Sequence, residues 1–228
     1  MPRFHVAAYL DLTKTAHASL FKEEEEIWEV LPKIKGYLDA NLKPGLHGRS
    51  VGTPYIGERV FIGEGTVVEH GAVIKGPAWI GKNCEIRAGA YIRENVIVGD
   101  GAVLGNSCEF KNSILFDGAQ VPHYTYVGDS ILGYKAHLGA GVTLSNFKLA
   151  GDEITIRVPG HESIKTGLRK FGAIVGDGAE VGSKTVLNPG SILGKGVVIY
   201  PGVVWSGVLA GNMIVKHRPQ YELRLKRK

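Results

Sequence analysis

Cysteine is scarce in this chain: two residues in 228, Cys84 and Cys108. Neither belongs to a CxxC pair or stands near histidines, which argues against a zinc cluster. Both fall in the same small-residue slot of the repeat described below, where a thiol serves as a small buried hydrophobe. Long apolar runs are missing too. No stretch reaches the roughly 18 residues that span a bilayer, and the opening MPRFHVAAYLD has too short an apolar core for a signal peptide. The chain therefore reads as cytoplasmic and without a membrane partner. A strong charge of one sign is also absent: 27 Lys and Arg stand against 22 Asp and Glu, and part of the excess lies in the tail Tyr221-ELRLKRK. Such a tail is a solvated end and not a nucleic-acid patch, although a basic rim suits an anionic small molecule.

What is abundant is glycine, 32 residues, in a chain that is 44% hydrophobic and so has a core to bury. The glycines must serve geometry. From Ile56 the sequence falls into sixes: IGERVF, IGEGTV, VEHGAV, IKGPAW, IGKNCE, IRAGAY, IRENVI, VGDGAV, LGNSCE, FKNSIL, FDGAQV. A large apolar residue opens each unit and the fifth place is mostly small; the rhythm returns from Val175 as VGDGAE, VGSKTV, LNPGSI, LGKGVV, IYPGVV. Six residues make one short parallel strand and a turn, with the large and small residues inward and a turn residue at the corner. Three units close one triangular coil, and coils bury their faces by stacking on each other. The expected fold is all-β, a parallel β-helix of hexapeptide repeats with a short N-terminal α-helical segment and an inserted loop.

The expected organisation is a helical cap or arm over residues 1–53 and the β-helix over 54–228, with a loop insertion at 147–171 and a basic C-terminal tail. In the first part, Glu23 to Val30 and Lys33 to Leu42 have helical spacing, with Pro32 starting the second helix and Glu23-EEE forming a solvated first turn. The insertion carries Lys148, Arg157, His161, Lys165, Arg169 and Lys170. It reads either as a solvated hairpin or as a substrate-contacting loop.

A coil of eighteen residues stacks Arg87, Gly105 and His123 in one column and Lys75, Arg93 and Lys111 in the next, with about 4.8 Å between rungs. The beat then falters. Pro122 takes an apolar place, and Val127 and Leu132 each follow after only five residues. Shortening two rungs is expected to re-aim the wall so that His123, Tyr126, His137 and the corner Gly139-Ala140-Gly141 converge on one cleft.

The hexapeptide pattern resembles the left-handed parallel β-helix of the hexapeptide acyltransferases. The order IRAGAYI, GNSCEFKNS, HYTYVGDS, LGAGVTLSN is more specific, and over residues 52 to 220 it resembles the acetyltransferase half of the bifunctional glucosamine-1-phosphate acetyltransferase and N-acetylglucosamine-1-phosphate uridyltransferase. The resemblance implies a trimeric enzyme that uses acetyl-CoA to acetylate an amino-sugar phosphate, most directly glucosamine 1-phosphate, with no metal. It implies His123 as the catalytic base and Arg87, Lys111, Tyr126, His137 and Asn146 as substrate-binding residues. Ala140, Asn146, Ser183, Pro201 and Arg218 would meet acetyl-CoA, Ala140 through backbone donors for the oxyanion. These residue types suit the chemistry: a neutral imidazole takes a proton from the attacking amine, and fixed N–H groups stabilise a tetrahedral intermediate.

The match also has departures. Residues 1–53 hold no glycine-rich nucleotidyltransferase signature, so uridyl transfer is not expected. His137 replaces a sugar-contacting asparagine, Phe147 replaces a tyrosine, and the insertion displaces a lysine. Two other readings stay open: a non-catalytic sugar-nucleotide-binding scaffold, and a β-helical zinc carbonic anhydrase, for which Gly128 stands where a pairing histidine would be needed.

Overall fold

A computed structural model describes residues 3–158, 160–218 and 220–226. Short parallel strands stack into three sheets of nine, nine and eight strands, and each strand pairs with those of the coils below and above. The result is a parallel β-solenoid with three walls. The first wall contains Val60–Ile62, Val96–Val98 and Ser113–Leu115; the second Glu85–Ile86, Val103–Asn106 and Gln120–His123; the third Tyr91–Ile92, Glu109–Lys111 and Tyr126–Gly128. The stack begins earlier than residue 54, because Gly45–Leu46 already pairs with the first wall and Arg49–Ser50 with the second.

The interior is the repeat made physical. Ile62, Val68, Ile74, Ile80, Ile86, Ile92, Val98, Leu104 and Phe110 fill one continuous core, and Ala72, Ala78, Cys84, Ala90, Ala102 and Cys108 occupy the narrow places between them. Burial lifts the Cys84 thiol to about 11, so both cysteines sit as buried, protonated small hydrophobes.

The frame of sixes slips sooner than the sequence reading holds. After Phe110 the next interior residue is Leu115, not Phe116, and after Val127 it is Leu132. The intervening step from Val121 to Val127 keeps six, so the shortened units are Phe110 to Leu115 and Val127 to Leu132. Both lie at the edge between the third and first walls, where Asn112 and Asp129 turn the chain with φ of 46° and 48°. Asn and Asp tolerate this left-handed geometry better than other side-chain-bearing residues. Phe116 consequently faces outward, edge-on to Phe21 of the N-terminal segment at 5.6 Å.

That segment lies along the first wall. Phe4, Val6, Leu10, Phe21, Trp28, Leu31, Ile34 and Leu38 pack on the outward residues Ile97, Ile114, Ile131, Ile174 and Ile192 to form a second core. The first-wall strands are thus buried on both faces. The helix expected over Glu23 to Val30 is instead a turn followed by a 3-10 helix, Ile27–Lys33, with Pro32 inside it, and the α-helix runs Ile34–Asn41. Glu26 is drawn out of the expected solvated turn because its carboxylate accepts from the N–H groups of Arg3 and Phe4, at 2.9 and 2.7 Å.

The insertion leaves after Thr143–Leu144 and forms a small antiparallel hairpin, Thr155–Ile156 with Ile164–Lys165. It rejoins at Ala173–Val175, which stacks directly on Ile131–Leu132. Ile154, Ile156 and Phe171 join the second core, so the hairpin is anchored on the first wall at its base.

Candidate functional site

The corner between the second and third walls carries His123. Leu104 pairs with Ile86, eighteen residues back, but with Val121, seventeen residues on, and His123 stands over Asn106. The column Arg87, Gly105, His123 is therefore corrected to Arg87, Gly105, Pro122, since one residue has been removed from the turn between. A Cβ on Gly105 would lie 1.7 Å from the Pro122 carbonyl oxygen, which explains the glycine there. Asn106 Nδ2 donates to the Ala88 carbonyl at 2.9 Å and ties this edge to the rung below. Arg87 lies on the second wall with its guanidinium donating to Glu85 at 2.7 Å.

Above His123 the corner continues as a regular ladder. The N–H of Gly141 donates to the His123 carbonyl at 3.0 Å, that of Lys184 to Ala140 at 2.9 Å, and that of Gly202 to Ser183 at 3.0 Å. In this parallel pattern each donor lies just past the residue stacked on its acceptor. His123, Ala140, Ser183 and Pro201 thus share one column, with successive members about 4.8 Å apart. The His123 imidazole is exposed, and so is the neighbouring Tyr124, whose φ of 50° turns the corner.

Beside that column, on the second wall, a groove of about 340 Å³ is lined by His137, Gly139, Glu180, Ser183, Tyr200 and Pro201. His137 sits in register between Gln120 and Glu180, away from His123's column. Arg218 is exposed beyond the last strand, Ile214–Val215. Among the described residues no three His, Cys, Asp or Glu side chains gather as a metal-binding group.

The third wall holds the remaining candidates around a buried carboxylate. Asp129, 4% exposed, accepts from Asn112 Nδ2 at 2.9 Å and Asn146 Nδ2 at 2.5 Å, and Lys111 Nζ lies 3.4 Å away. Asn146 also donates to the Tyr126 hydroxyl at 3.1 Å. Burial, and then the charge of Asp129, raise the Tyr126 phenol above its usual range. The phenol stays protonated near neutral pH, and because its oxygen accepts from Asn146 its own proton is free for a ligand. Lys111, Tyr126 and Asn146 are thus brought together. Sequence reasoning gave Asp129, which organises them, no role, although it stands within the quoted HYTYVGDS stretch.

Known proteins are similar to this chain over different spans. The GMPPB C-terminal domain family matches residues 74–159. The uncharacterized acetyltransferase YaiX of Escherichia coli K12 is 33% identical over 175 residues, 75% of each chain. A bifunctional sugar-1-phosphate nucleotidylyltransferase/acetyltransferase of Sulfurisphaera tokodaii is 35% identical over 96 residues, 42% of this chain and 24% of the relative. This chain therefore spans about a quarter of that larger protein. Among solved structures, a UDP-N-acetylglucosamine acyltransferase from Campylobacter jejuni is similar at 15% identity and TM-score 0.31, over 74% of this chain and 72% of that one. The solenoid and the similarity to YaiX over three quarters of each chain make this chain a member of the hexapeptide-repeat acetyltransferase family.

Proposed function

We propose that the chain transfers the acetyl group of acetyl-CoA to the amine of an amino-sugar phosphate, with glucosamine 1-phosphate as the acceptor. The observation that carries this reading is the shared column of His123, Ala140, Ser183 and Pro201, set beside the donor-rich cluster of the third wall.

His123 accepts the proton as the amine nitrogen attacks the thioester carbonyl, since only the free amine is nucleophilic. The carbonyl oxygen becomes an oxyanion one rung above, where the backbone N–H of Ala140 can hold it, since those of Gly139 and Gly141 already donate to Val181 and His123. The C–S bond then breaks, the amide forms, and coenzyme A leaves as thiolate to be protonated. No metal is needed for any of these steps. The acyl donor lies along the column past Ser183 and Pro201, with its polar end toward Arg218.

Lys111 supplies a point charge for the sugar phosphate, and Tyr126 and Asn146 supply donors to its hydroxyl groups. Arg87 approaches the corner from the second wall and joins them on releasing Glu85, and His137 faces the donor groove on that same wall. The third wall leaves Tyr55 and Val204 60% and 67% exposed. A second copy laid against it would bury both and close the site, as in a homotrimer working in the cytoplasm.

The test is acetyl-CoA-dependent thiol release across a panel of amino sugars and their phosphates. Turnover is expected with glucosamine 1-phosphate and loss of most of it with unphosphorylated glucosamine. Tight sugar binding without thiol release would replace the enzyme by a binding scaffold.

A further inference from the structure

The insertion does more than cross the gap between coils. Where its first strand passes the edge between the third and first walls, it roofs a recess of about 310 Å³ lined by Lys148, Thr155, Arg157, Asn188 and Ser206, with Pro189 and Gly207. Three separate stretches of chain build it. The Val208 N–H donates to the Arg157 carbonyl at 3.0 Å, which straps the hairpin to the coil. A Cβ on Gly207 would meet that same carbonyl oxygen at 2.6 Å, so only glycine lets the two chains approach this closely.

The polar edges of the recess are set up mainly to donate. Asn188 Nδ2 donates to Ser206 Oγ at 2.8 Å, which leaves the Ser206 proton free. Lys148 Nζ donates to the Glu153 carbonyl at 2.6 Å and lies 3.3 Å from Thr155 Oγ1, fixing the ammonium and leaving the threonine proton free as well. Arg157 adds a guanidinium fork on an exposed side chain. The lining contains two cations, two hydroxyls and an amide, and no carboxylate; Asp152, at 3.4 Å from Lys148, is 61% exposed at the side chain and offsets only part of this charge. Fixed donors and cations facing a partly enclosed space favour a multiply charged oxyanion, which Arg binds through two parallel N–H groups.

We propose that this recess is an anion site that takes a phosphate group, either free phosphate or the phosphate of an ester. It lies on the edge of the third wall opposite His123, where Asn188 and Pro189 stack on Ser145 and Asn146, and the resemblance assigns no role to Arg157, Asn188 or Ser206.

The experiment is titration of the full chain with inorganic phosphate and pyrophosphate, followed by calorimetry or ³¹P NMR. Saturable binding is expected, weakened about tenfold or more in Arg157→Ala. It should be unchanged in Lys43→Ala, which removes an exposed cation from the N-terminal segment, away from the lining. Thermal unfolding of both variants checks that the fold is intact. Displacement of phosphate by coenzyme A but not its dephospho form would name the donor as the source. Displacement by glucosamine 1-phosphate but not glucosamine would name the acceptor, and displacement by neither would name free phosphate. Absence of saturable binding, or equal weakening in the two variants, would overturn the proposal. No turnover is involved, so phosphate binding in an inactive protein would keep this site while removing the acetyl-transfer reading.

Discussion

Asp129 is the residue on which the third wall is organised. Its carboxylate is surrounded by Lys111, Asn112 and Asn146, and only 6% of its side chain reaches solvent. Replacing it by Ala would leave a half-buried ammonium and two amides without their acceptor. Such a loss costs about 3 kcal/mol or more, on the order of 10 °C in thermal unfolding for a chain of this size. Asp129→Ala should also weaken sugar-phosphate binding, because Lys111 and Asn146 lose their fixed positions; a melting temperature within a degree of the parent would contradict this. Residues were legible in the sequence one by one. Lys111, Tyr126 and Asn146 are donors in quoted motifs, but a buried carboxylate that gathers donors from the rungs below and above looks, in sequence, like any Gly-Asp turn.

At the scale of elements, the solenoid was readable because a six-residue period leaves an unmistakable interior. Its slips were harder to see. Leu115 and Phe116 are both apolar, and hydrophobicity alone cannot say which one points inward. The choice is made by Asn112 at the corner and by the N-terminal segment, which offers Phe116 a second core. The sign of that second core was present as one outward apolar residue per coil on the first wall, at Ile97, Ile114, Ile131, Ile174 and Ile192.

His17 sits within this contact, edge-on to Trp79 at 4.9 Å and with Nδ1 3.0 Å from the Tyr37 hydroxyl. Burial lowers its pKa from 6.5 to about 4, against a smaller opposing pull from Asp100. The folded state thus binds its proton later than the unfolded chain as pH falls. Stability is whole above about pH 6.5 and declines as pH drops toward 4, by roughly 3 kcal/mol in total. His17→Phe should flatten that acid limb in unfolding measured from pH 7 to 4; an unchanged slope would contradict the assignment.

At the scale of the whole molecule, three walls have three fates. The first is sealed by the N-terminal segment and the base of the hairpin. The second carries the groove lined by His137 and Pro201. The third lies open between His123 and Asp129. No helix among the described residues is long and apolar enough to cross a membrane. The column expected from an ideal period placed Arg87 beneath His123; the seventeen-residue step moved it one place aside and put Ala140, Ser183 and Pro201 in line instead. A register shift of one residue is invisible to composition, yet it decides which side chains share an edge.

The direct test of this arrangement is the rate of coenzyme A thiol release from acetyl-CoA with glucosamine 1-phosphate, comparing the parent chain with His123→Ala. A folded variant slowed about a hundredfold or more is the expected result for loss of a general base. A variant that turns over at the parental rate would contradict it.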